Sequence, residues 1–337
     1  MHQALDQAQK GIGFTSPNPP VGAVIVAQDQ IIGSGYHHKA GDPHAEVEAI
    51  RDAQKLNPKL LRGSTIFITL EPCCTQGRTP PCTEAIKAAG IKRVVFGAHD
   101  PNPAHREQAR SVLMLAGIEV TSGVLQEECQ AIIRPFAKWI TTGIPYVIAK
   151  AGQSLDGRIT RPAGESSLIT NDSARAHGRR LRMRVDAILV GAETIRKDNP
   201  QLTLRDGSVG SGKQQPWRVV LTRSGNLPPQ AHIFTDEFKD RTIIMREKGL
   251  PEALAHLGKH GVLSVLIEGG GSVLGQAFRE KLVDEVYWYI APRICGGGTP
   301  SIAGPELPAS IELQNITVRP MGDNVCFHGF PVWPEVG

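Results

Sequence analysis

The sequence predicts an α/β protein made of two successive domains. Its 337 residues are enough for roughly two domains of ordinary size. Short β-branched runs alternate with helical stretches, as where Val21 to Ala27 (VGAVIVA) precedes the helical pattern of Ala45 to Leu56. Such alternation is typical of a sheet that carries helices on its faces. We expect the boundary near Thr142, with residues 1–142 in the first domain and 143–337 in the second.

The apolar patterns of the first domain indicate strands and helices in turn. The predicted strands are Val21 to Ala27, Ser64 to Leu70, Arg93 to Gly97 and Ile118 to Thr121. The predicted helices are Ala45 to Leu56 and Thr83 to Ala89, and a further helix ends at Leu115. Gly90 directly follows the second helix, where a glycine commonly ends the helical conformation.

The segment 134–150 is predicted to be the hinge between the domains, and a new alternation begins after it. The predicted strands are Tyr146 to Ala151, Ala187 to Gly191, Arg218 to Thr222, Thr242 to Met245, Leu263 to Ile267 and Val286 to Ile290. Helices are expected at about Asp172 to Arg184 and at Ser272 to Leu282.

Composition excludes several classes of function. A formal net charge of +4 and an aromatic content of 5% give no basis for a polybasic nucleic-acid or membrane surface, or for base stacking. No apolar run reaches membrane-spanning length. Six cysteines without a leader pattern indicate reduced thiols or metal ligands. We therefore expect a cytoplasmic protein that binds small molecules, neither nucleic acid nor membrane.

A candidate metal site lies in the first domain. His44-Ala45-Glu46 opens a predicted helix, Pro72-Cys73 follows a strand, and Cys82 precedes another helix. This order matches the H-x-E…P-C…C signature of zinc-dependent deaminases. Each piece alone is common, and only the conjunction favours a metal. The spacing departs from the usual P-C-x-x-C, because eight residues separate Cys73 from Cys82.

The chemistry of amine removal explains these residue types. Two thiolates and a neutral imidazole leave zinc able to lower the pKa of bound water. Glu46, if it stays uncoordinated, can take a proton from that water and pass it to the departing amine. A structural zinc site would need no such free carboxylate.

The long loop 71-EPCCTQGRTPPC-82, with 16-SPNPPVGAVIV-26 before it, closely resembles the bifunctional deaminase–reductase family of riboflavin biosynthesis. That family reads T-x-P-N-P-x-V-G, then H-A-E, then E-P-C-x-x-x-G-[RK]-T-P-P-C. The resemblance implies that His44, Cys73 and Cys82 bind one zinc ion per chain, with Glu46 as the catalytic proton shuttle and Cys74 as a bystander. It also implies pyrimidine or ribose phosphate contacts from Asn18, His37, Arg78 and Thr79.

The second half is similar to the reductase half of the same family, from 146-YVIAKAGQSLDGRIT-160 to 266-LIEGGGSVLGQAF-278. The resemblance implies a cytidine-deaminase-like α/β/α domain followed by a dihydrofolate-reductase-like α/β domain that uses NADPH. The implied reductase substrate positions are Ser166, Arg182, Leu202, Arg205 and Glu268. The implied cofactor positions are Gly152, Leu168, Thr194, Asp198, Gly270, Gly271, Ser272, Val273, Leu274, Gly275 and Gln276.

The glycine run at 269–271 supports the cofactor assignment only weakly on its own. It lies between a predicted strand and a helix, with Ser272 as the expected N-cap, and the N–H groups of such a turn suit a phosphate. It lacks the Rossmann fingerprint, and an isolated glycine run is more often simply a turn. Two positions depart from the family, which usually has histidine at Thr75 and tryptophan at Leu168.

The predicted function is hydrolytic deamination of a diaminopyrimidinone ribosyl phosphate, followed by NADPH-dependent reduction of its ribosyl side chain to ribityl. The enzyme is thus a hydrolase and an oxidoreductase, expected to form a homo-oligomer, either dimer or tetramer. Two alternatives remain open: a nucleic-acid or nucleoside deaminase with an appended nucleotide-binding domain, and a metal-bound structural module without turnover. Of the remaining candidates, we expect Cys129, Cys295 and Cys326 to be inert thiols and His177, His256 and His260 to be surface residues.

Overall fold

The computed structural model describes residues 1–75, 80–103, 105, 107–205 and 212–334. The chain divides into two compact units, Met1–Gly143 and Ile144–Gly337. Both units mix strands and helices, which confirms the predicted fold class. None of the described helices has the length and apolar character needed to span a membrane.

The first unit is built on one sheet of five strands, whose order is β2-β1-β3-β4-β5. The strands are β1 Gly22–Ala27, β2 Gln30–Tyr36, β3 Thr65–Leu70, β4 Arg93–Ala98 and β5 Glu119–Ser122. The helices are α1 His2–Lys10, α2 Ala45–Leu56, α3 Pro58–Leu61, α4 Cys82–Ala88, α5 Gln108–Leu115 and α6 Gln126–Thr142. Strand β1 is antiparallel to both of its neighbours, whereas β3, β4 and β5 run parallel.

Helix α2 lies unusually close to β2, and the glycines of that strand explain why. A Cβ atom on Gly35 would lie 2.5 Å from the backbone nitrogen of Ala49 and 2.7 Å from the carbonyl oxygen of Ala45. Gly33 would meet the backbone of Ala49 at a similar 2.5 Å. The buried face of α2 is correspondingly rich in alanine, a residue small enough for this approach. The strand therefore fixes where α2 begins, which is the point that carries His44.

The second unit contains a sheet of eight strands with the order β12-β13-β11-β6-β10-β7-β8-β9. The strands are β6 Tyr146–Ser154, β7 Ala187–Gly191, β8 Trp217–Thr222, β9 Thr242–Arg246, β10 Ser264–Ile267, β11 Glu285–Ala291, β12 Glu312–Met321 and β13 Asn324–Val332. The helices are α7 Asp172–Leu181, α8 Ala192–Asp198, α9 His232–Thr235, α10 Leu250–Lys259 and α11 Gly271–Arg279. The strands from β11 to β9 are parallel, and the β12–β13 hairpin extends one edge antiparallel.

Both faces of this sheet are buried. Along β6, Tyr146 and Ile148 belong to one hydrophobic core, whereas Val147 and Ala149 belong to the other. This alternation follows from the two-residue period of a strand, and it explains why the parallel strands are continuous apolar runs. Helices cover each face of the sheet. A ligand can therefore reach the sheet only at the ends of its strands.

Most predicted elements are present, and two of them, α2 and β7, have the bounds that the sequence predicted. The division between the units, after Gly143, falls inside the predicted hinge segment 134–150. Most of that segment is nevertheless regular structure, because α6 continues through Pro135 to Thr142 and β6 begins at Tyr146. The predicted N-cap of α11 is also wrong: the cap is Gly270, whose φ of 53° suits a glycine, and Ser272 is already within the helix. No prediction was made for the helices α1, α3, α6, α8, α9 and α10, the strand β2 or the β12–β13 hairpin.

The packing of α2 on β2 generates a stability prediction. We expect Gly35→Ala to lower the free energy of unfolding by roughly 1–3 kcal/mol, because the new methyl group must displace helix backbone. Chemical denaturation measures this change. Gly297→Ala is the control, since a Cβ there meets nothing within 4 Å. Equal stability of the two variants would contradict the close packing of helix and strand.

Candidate functional site

The three predicted metal ligands lie close together in the first unit. His44 is the N-cap of α2, Cys82 is the first residue of α4, and Cys73 lies in the segment after β3. The His44 Nδ1 atom lies 3.6 Å from Cys73 Sγ and 3.2 Å from Cys82 Sγ. All three ligand atoms are within 4.8 Å of one another. The fold thus closes a gap of 29 residues between His44 and Cys73.

This arrangement fits zinc. Zinc bonds of about 2.3 Å to sulfur and about 2.0 Å to nitrogen, held at tetrahedral angles, separate the two ligand atoms by about 3.5 Å. The observed sulfur to nitrogen distances of 3.6 and 3.2 Å bracket that value. Three protein ligands also leave one tetrahedral position open, as in catalytic zinc sites. Cys74 lies outside the cluster, with its sulfur 3.7 Å from Oε1 of Gln108.

The two thiols of the cluster titrate very differently. Hydrogen bonding from the Cys82 thiol, reinforced by His44, lowers the pKa of Cys73 to about 4. The amide N–H of Cys82 also donates to Cys73 Sγ at 3.2 Å. The same shared proton and burial raise the pKa of Cys82. One thiolate is therefore present without metal, and metal binding releases the second proton.

Glu46 is buried beside these ligands without belonging to them. Glu46 is 3% exposed, and it does not belong to the group of three residues that could bind a metal. Burial is the main cause that raises the pKa of its carboxyl group, and the neighbouring His44 imidazole opposes that effect. A carboxylate with a raised pKa is a better proton acceptor near neutral pH than an ordinary glutamate.

Asn18 and His37 lie next to the cluster, with the His37 ring 5.3 Å from the ring of His44. Nδ1 of His37 is 3.1 Å from the carbonyl oxygen of Pro43, which can only accept a hydrogen bond. The neutral imidazole therefore carries its proton on Nδ1, and burial lowers its pKa in agreement. Its Nε2 then accepts from the amide nitrogen of Asn18 at 3.0 Å. This bond fixes the Asn18 amide, so that its oxygen remains available as an acceptor.

Two further contacts were not anticipated from the sequence. Oε2 of the buried Glu71 accepts hydrogen bonds from the amides of Asp100 and Glu107, at 3.2 and 3.1 Å. The loop after β4 is thereby held near the metal cluster, and its His105 lies 3.1 Å from Oγ1 of Thr75. An imidazole is thus close to the position where the family usually has histidine. The predicted residues Arg78 and Thr79 lie outside the described residues.

The main feature of the second unit is a buried ion pair between two predicted substrate residues. The guanidinium of Arg182 donates to both carboxylate oxygens of Glu268, at 2.6 and 2.9 Å. It also donates to the carbonyl oxygen of Thr203 at 3.0 Å. Nζ of Lys150, which was not among the predicted site residues, lies 3.9 Å from Oε2 of Glu268. Burial alone would raise the pKa of Glu268, but Arg182 and Lys150 lower it to about 2.

A large cleft of about 1190 Å³ lies in the same unit. It opens where the carboxyl ends of β7, β8 and β10 meet the start of α11, which is where α/β sheets commonly bind ligands. Predicted cofactor residues that line it are Thr194, Gly270, Ser272, Val273 and Gln276. Four cationic side chains also line it, namely Arg196, Arg223, Lys248 and Arg279, together with the carboxylates of Glu193, Glu247 and Glu280.

The remaining predicted cofactor residues do not line this cleft. A Cβ on Gly271 or Gly275 would lie 2.1 or 2.0 Å from the carbonyl oxygen of Pro300 or Ala303, so both glycines allow close packing of α11. Leu274 is a core residue. Gly152 faces Thr170, Asp198 ends α8, and Leu168 is 50% exposed.

The other predicted substrate residues are dispersed along two loops. Oγ of the exposed Ser166 accepts from the Leu168 amide at 3.3 Å. Leu202 is buried with a φ of 53°, which a leucine rarely adopts. Arg205 is exposed, three residues beyond it. The structure therefore brings together Arg182 and Glu268, but not the whole predicted set.

Comparison with known proteins identifies the family. The model for the cytidine and deoxycytidylate deaminase zinc-binding region matches residues 1–98, and the model for the RibD C-terminal domain matches residues 145–327. A riboflavin biosynthesis protein RibD from Bacillus amyloliquefaciens is 38% identical, covering 98% of this chain and 95% of its own length. The chain belongs to the RibD family.

Other RibD proteins give the same result. The Escherichia coli K12 protein is 37% identical, covering 97% of both chains. The solved structure of Acinetobacter baumannii RibD, form 1, is 34% identical with a TM-score of 0.89, covering 98% of each chain. The solved structure of a diaminohydroxyphosphoribosylaminopyrimidine deaminase and 5-amino-6-(5-phosphoribosylamino)uracil reductase from Thermotoga maritima is 34% identical, with a TM-score of 0.87. The match covers 98% of this chain and 97% of the Thermotoga maritima chain. These findings confirm the predicted bifunctional deaminase and reductase of riboflavin biosynthesis, with zinc and NADPH as cofactors.

The geometry of the cluster predicts which cysteines hold the metal. We expect Cys73→Ser and Cys82→Ser each to lose zinc, because each removes one of three protein ligands, and Cys74→Ser to retain it. Metal analysis of the purified variants measures the zinc content per chain. Equal zinc loss in all three variants would show that the ligand set is wrong.

Proposed function

We propose that the first unit deaminates a diaminopyrimidinone ribosyl phosphate and that the second unit reduces the ribosyl chain of the product with NADPH. The substrates follow from the similarity to the Thermotoga maritima protein, whose name states both activities. The observation that carries the proposal is the placement of a buried, uncoordinated Glu46 beside His44, Cys73 and Cys82. Zinc in a purely structural site would have four protein ligands and no adjacent free carboxylate.

His44, Cys73 and Cys82 would hold the zinc ion, which supplies Lewis-acid activation of water when bound. Glu46 accepts a proton from the attacking water and later donates it to the ring amino group, which leaves as ammonia. The raised pKa of Glu46 suits both tasks, because the carboxylate binds a proton readily and the acid releases it within the same reaction. The product of this step carries a carbonyl group in place of the amine.

Asn18 and His37 are proposed to orient the pyrimidine. The hydrogen bond from Asn18 to Nε2 of His37 leaves the Asn18 oxygen as an acceptor. An acceptor fixed in this way recognises an N–H group of an aminopyrimidine. His37 stays neutral, so it adds no charge that would oppose the cationic zinc. Arg78 and Thr79, which lie outside the described residues, are proposed to bind the pyrimidine or its ribose phosphate.

Glu268 is the proposed acceptor for substrate hydroxyl groups in the second unit. Arg182 donates to both carboxylate oxygens of Glu268, which fixes the plane of the carboxylate. The low pKa of Glu268 keeps the carboxylate ionised. An ionised carboxylate has further lone pairs that can accept from hydroxyl groups. Ser166, Leu202 and Arg205 are proposed to complete the substrate site, with Arg205 facing the phosphate.

The cleft at the start of α11 is the proposed cofactor site. Its volume of about 1190 Å³ exceeds that of most small-molecule sites, which are about 300–1,000 Å³. The amides at the start of α11 and the arginine and lysine side chains of the cleft suit the phosphates of a dinucleotide. NADPH supplies the hydride when bound, and the protein orients it. Gly152, Leu168, Asp198, Gly271, Leu274 and Gly275 are proposed to contribute through backbone or flanking contacts.

The alternative of a nucleic-acid deaminase is disfavoured by the modest charge and few aromatic residues. A gel-shift titration with RNA and single-stranded DNA distinguishes a small-molecule deaminase from a nucleic-acid deaminase. We expect no shifted protein–nucleic acid complex. The six free cysteines and the NADPH requirement support a cytoplasmic location as part of this proposal. A homo-oligomer, dimer or tetramer, is likewise proposed, and light scattering tests it.

The role of Glu46 gives the second chemical prediction. We expect Glu46→Gln to retain zinc but to lower the rate of ammonia release by about 10²-fold or more, because general acid–base catalysis contributes that much. A coupled ammonia assay measures the rate. NADPH oxidation with the purified deaminated intermediate should be unchanged. Deamination near the wild-type rate would refute the role of Glu46 as proton shuttle.

The assignment of the two reactions to separate units predicts that a variant can lose one activity and keep the other. We expect Arg205→Ala to weaken reduction by roughly tenfold or more, because one charge-assisted bond to phosphate contributes about 1.5–3 kcal/mol. Steady-state NADPH oxidation measures the effect, chiefly as a raised KM for the intermediate. Deamination in the same preparation is the internal control. A parallel fall in both activities would contradict separate sites.

A further inference from the structure

A second cavity of the second unit is lined by none of the residues assigned above. It encloses about 330 Å³ beside α7, β11 and the β12–β13 hairpin. His177, expected from the sequence to be a surface residue, is half-buried in its wall. The ionisable nitrogen-bearing side chains of the lining are His177, Arg180, Arg184, Arg319 and His328.

These side chains give the cavity a surplus of positive charge. Within the part of the chain that the structure describes, no ion pair involves Arg180, Arg184 or Arg319. The carboxylate that acts electrostatically on Arg184 is Glu285. Glu285 is buried and already lies 2.8 Å from Nε2 of His328. Three permanent guanidinium charges therefore face one carboxylate.

Arg319 is held by a neutral histidine. Its Nη1 lies 3.3 Å from Nε2 of His177, and because a guanidinium only donates, Nε2 must accept. The imidazole proton is then on Nδ1, which donates to Oη of Tyr289 at 2.7 Å. Burial lowers the pKa of His177, and the charges of the surrounding arginines, of which Arg180 has the largest effect, lower it further. The imidazole is therefore neutral. The contact positions Arg319 without neutralising it.

Arg184 is positioned in a similar way by an uncharged group. Its Nη1 donates to Oη of Tyr287 at 2.9 Å. The Tyr287 ring is itself stacked on His328, with ring centroids 4.4 Å apart. Thr317 Oγ1 lies 3.2 Å from the other ring nitrogen of His328 and adds a hydroxyl to the wall. A guanidinium has five N–H groups, so Arg184 keeps donors for a ligand.

We propose that this cavity binds a phosphate group, either inorganic phosphate or a phosphate monoester, between Arg184 and Arg319. Guanidinium groups match the tetrahedral phosphate through paired N–H donors, and a cationic cavity favours a dianion. Arg180 adds a third guanidinium to the lining. The volume of about 330 Å³ leaves space beyond a single phosphate for a small organic group. This site is separate from the proposed catalytic functions and does not depend on them.

The test follows the imidazole signals of the full-length, zinc-loaded protein by NMR while inorganic phosphate is added at constant ionic strength. We expect the His177 and His328 signals to shift saturably. Arg184→Gln combined with Arg319→Gln should weaken binding by roughly tenfold or more, because charge-assisted bonds are lost. Arg110→Gln, which removes one arginine charge from exposed α5 of the other unit and so matches the single variant Arg319→Gln, should leave the affinity unchanged. Tighter binding of ribose 5-phosphate would identify a monoester as the ligand, and equal affinity would identify inorganic phosphate.

Two outcomes would overturn the site. One is a response of both imidazoles to chloride that equals their response to phosphate. The other is wild-type phosphate affinity in the double variant. If that variant fails to fold, Arg319→Gln alone decides, since Arg319 is exposed on β12; unchanged affinity in this variant would also reject the proposal.

Discussion

The convergence of two helix starts on one sulfur atom is the constraint on which the deaminase site depends. Helix α4 begins at Cys82, whose amide donates to the Cys73 sulfur at 3.2 Å, while α2 begins after His44. A thiolate is stabilised at such a position before any metal arrives. Because Glu46 lies on the first turn of α2, the same geometry that places the imidazole also places the proton shuttle. The glycines of β2 matter for this reason, since they set the depth at which α2 packs.

The reductase unit relies on a different interaction. Burying Arg182 and Glu268 together costs desolvation, so the pair is better understood as a device for orientation than as a source of stability. Its bidentate geometry holds the Glu268 carboxylate in one plane. Removing either partner would leave a buried charge, whereas Arg205 is exposed and can be changed more cleanly. The nearby Lys150 adds a third charge that substrate hydroxyl groups would meet.

Site residues could be predicted from the sequence where residue types and their spacing together are typical of one kind of site. The ligand residues His44, Cys73 and Cys82 were predictable because zinc deaminases require that order, and α2 because its pattern and its first turn agree. Contacts between distant loops were not predictable: no local pattern relates Thr75 to His105. Nor could spacing show that His177 faces a cavity, because a half-buried and an exposed histidine on a helix look alike in sequence. The helix α6 was not predicted, because its last residues, 134–142, were assigned to the hinge between the domains.

The zinc ligands are the central claim, and X-ray absorption at the zinc edge of the purified protein tests them most directly. The structure predicts two sulfur atoms at about 2.3 Å, one imidazole nitrogen at about 2.0 Å and one further light atom. Three or four sulfur atoms around the zinc would place Cys74 or another thiol among the ligands. The open position would then be lost, and the proposed deamination would have no site.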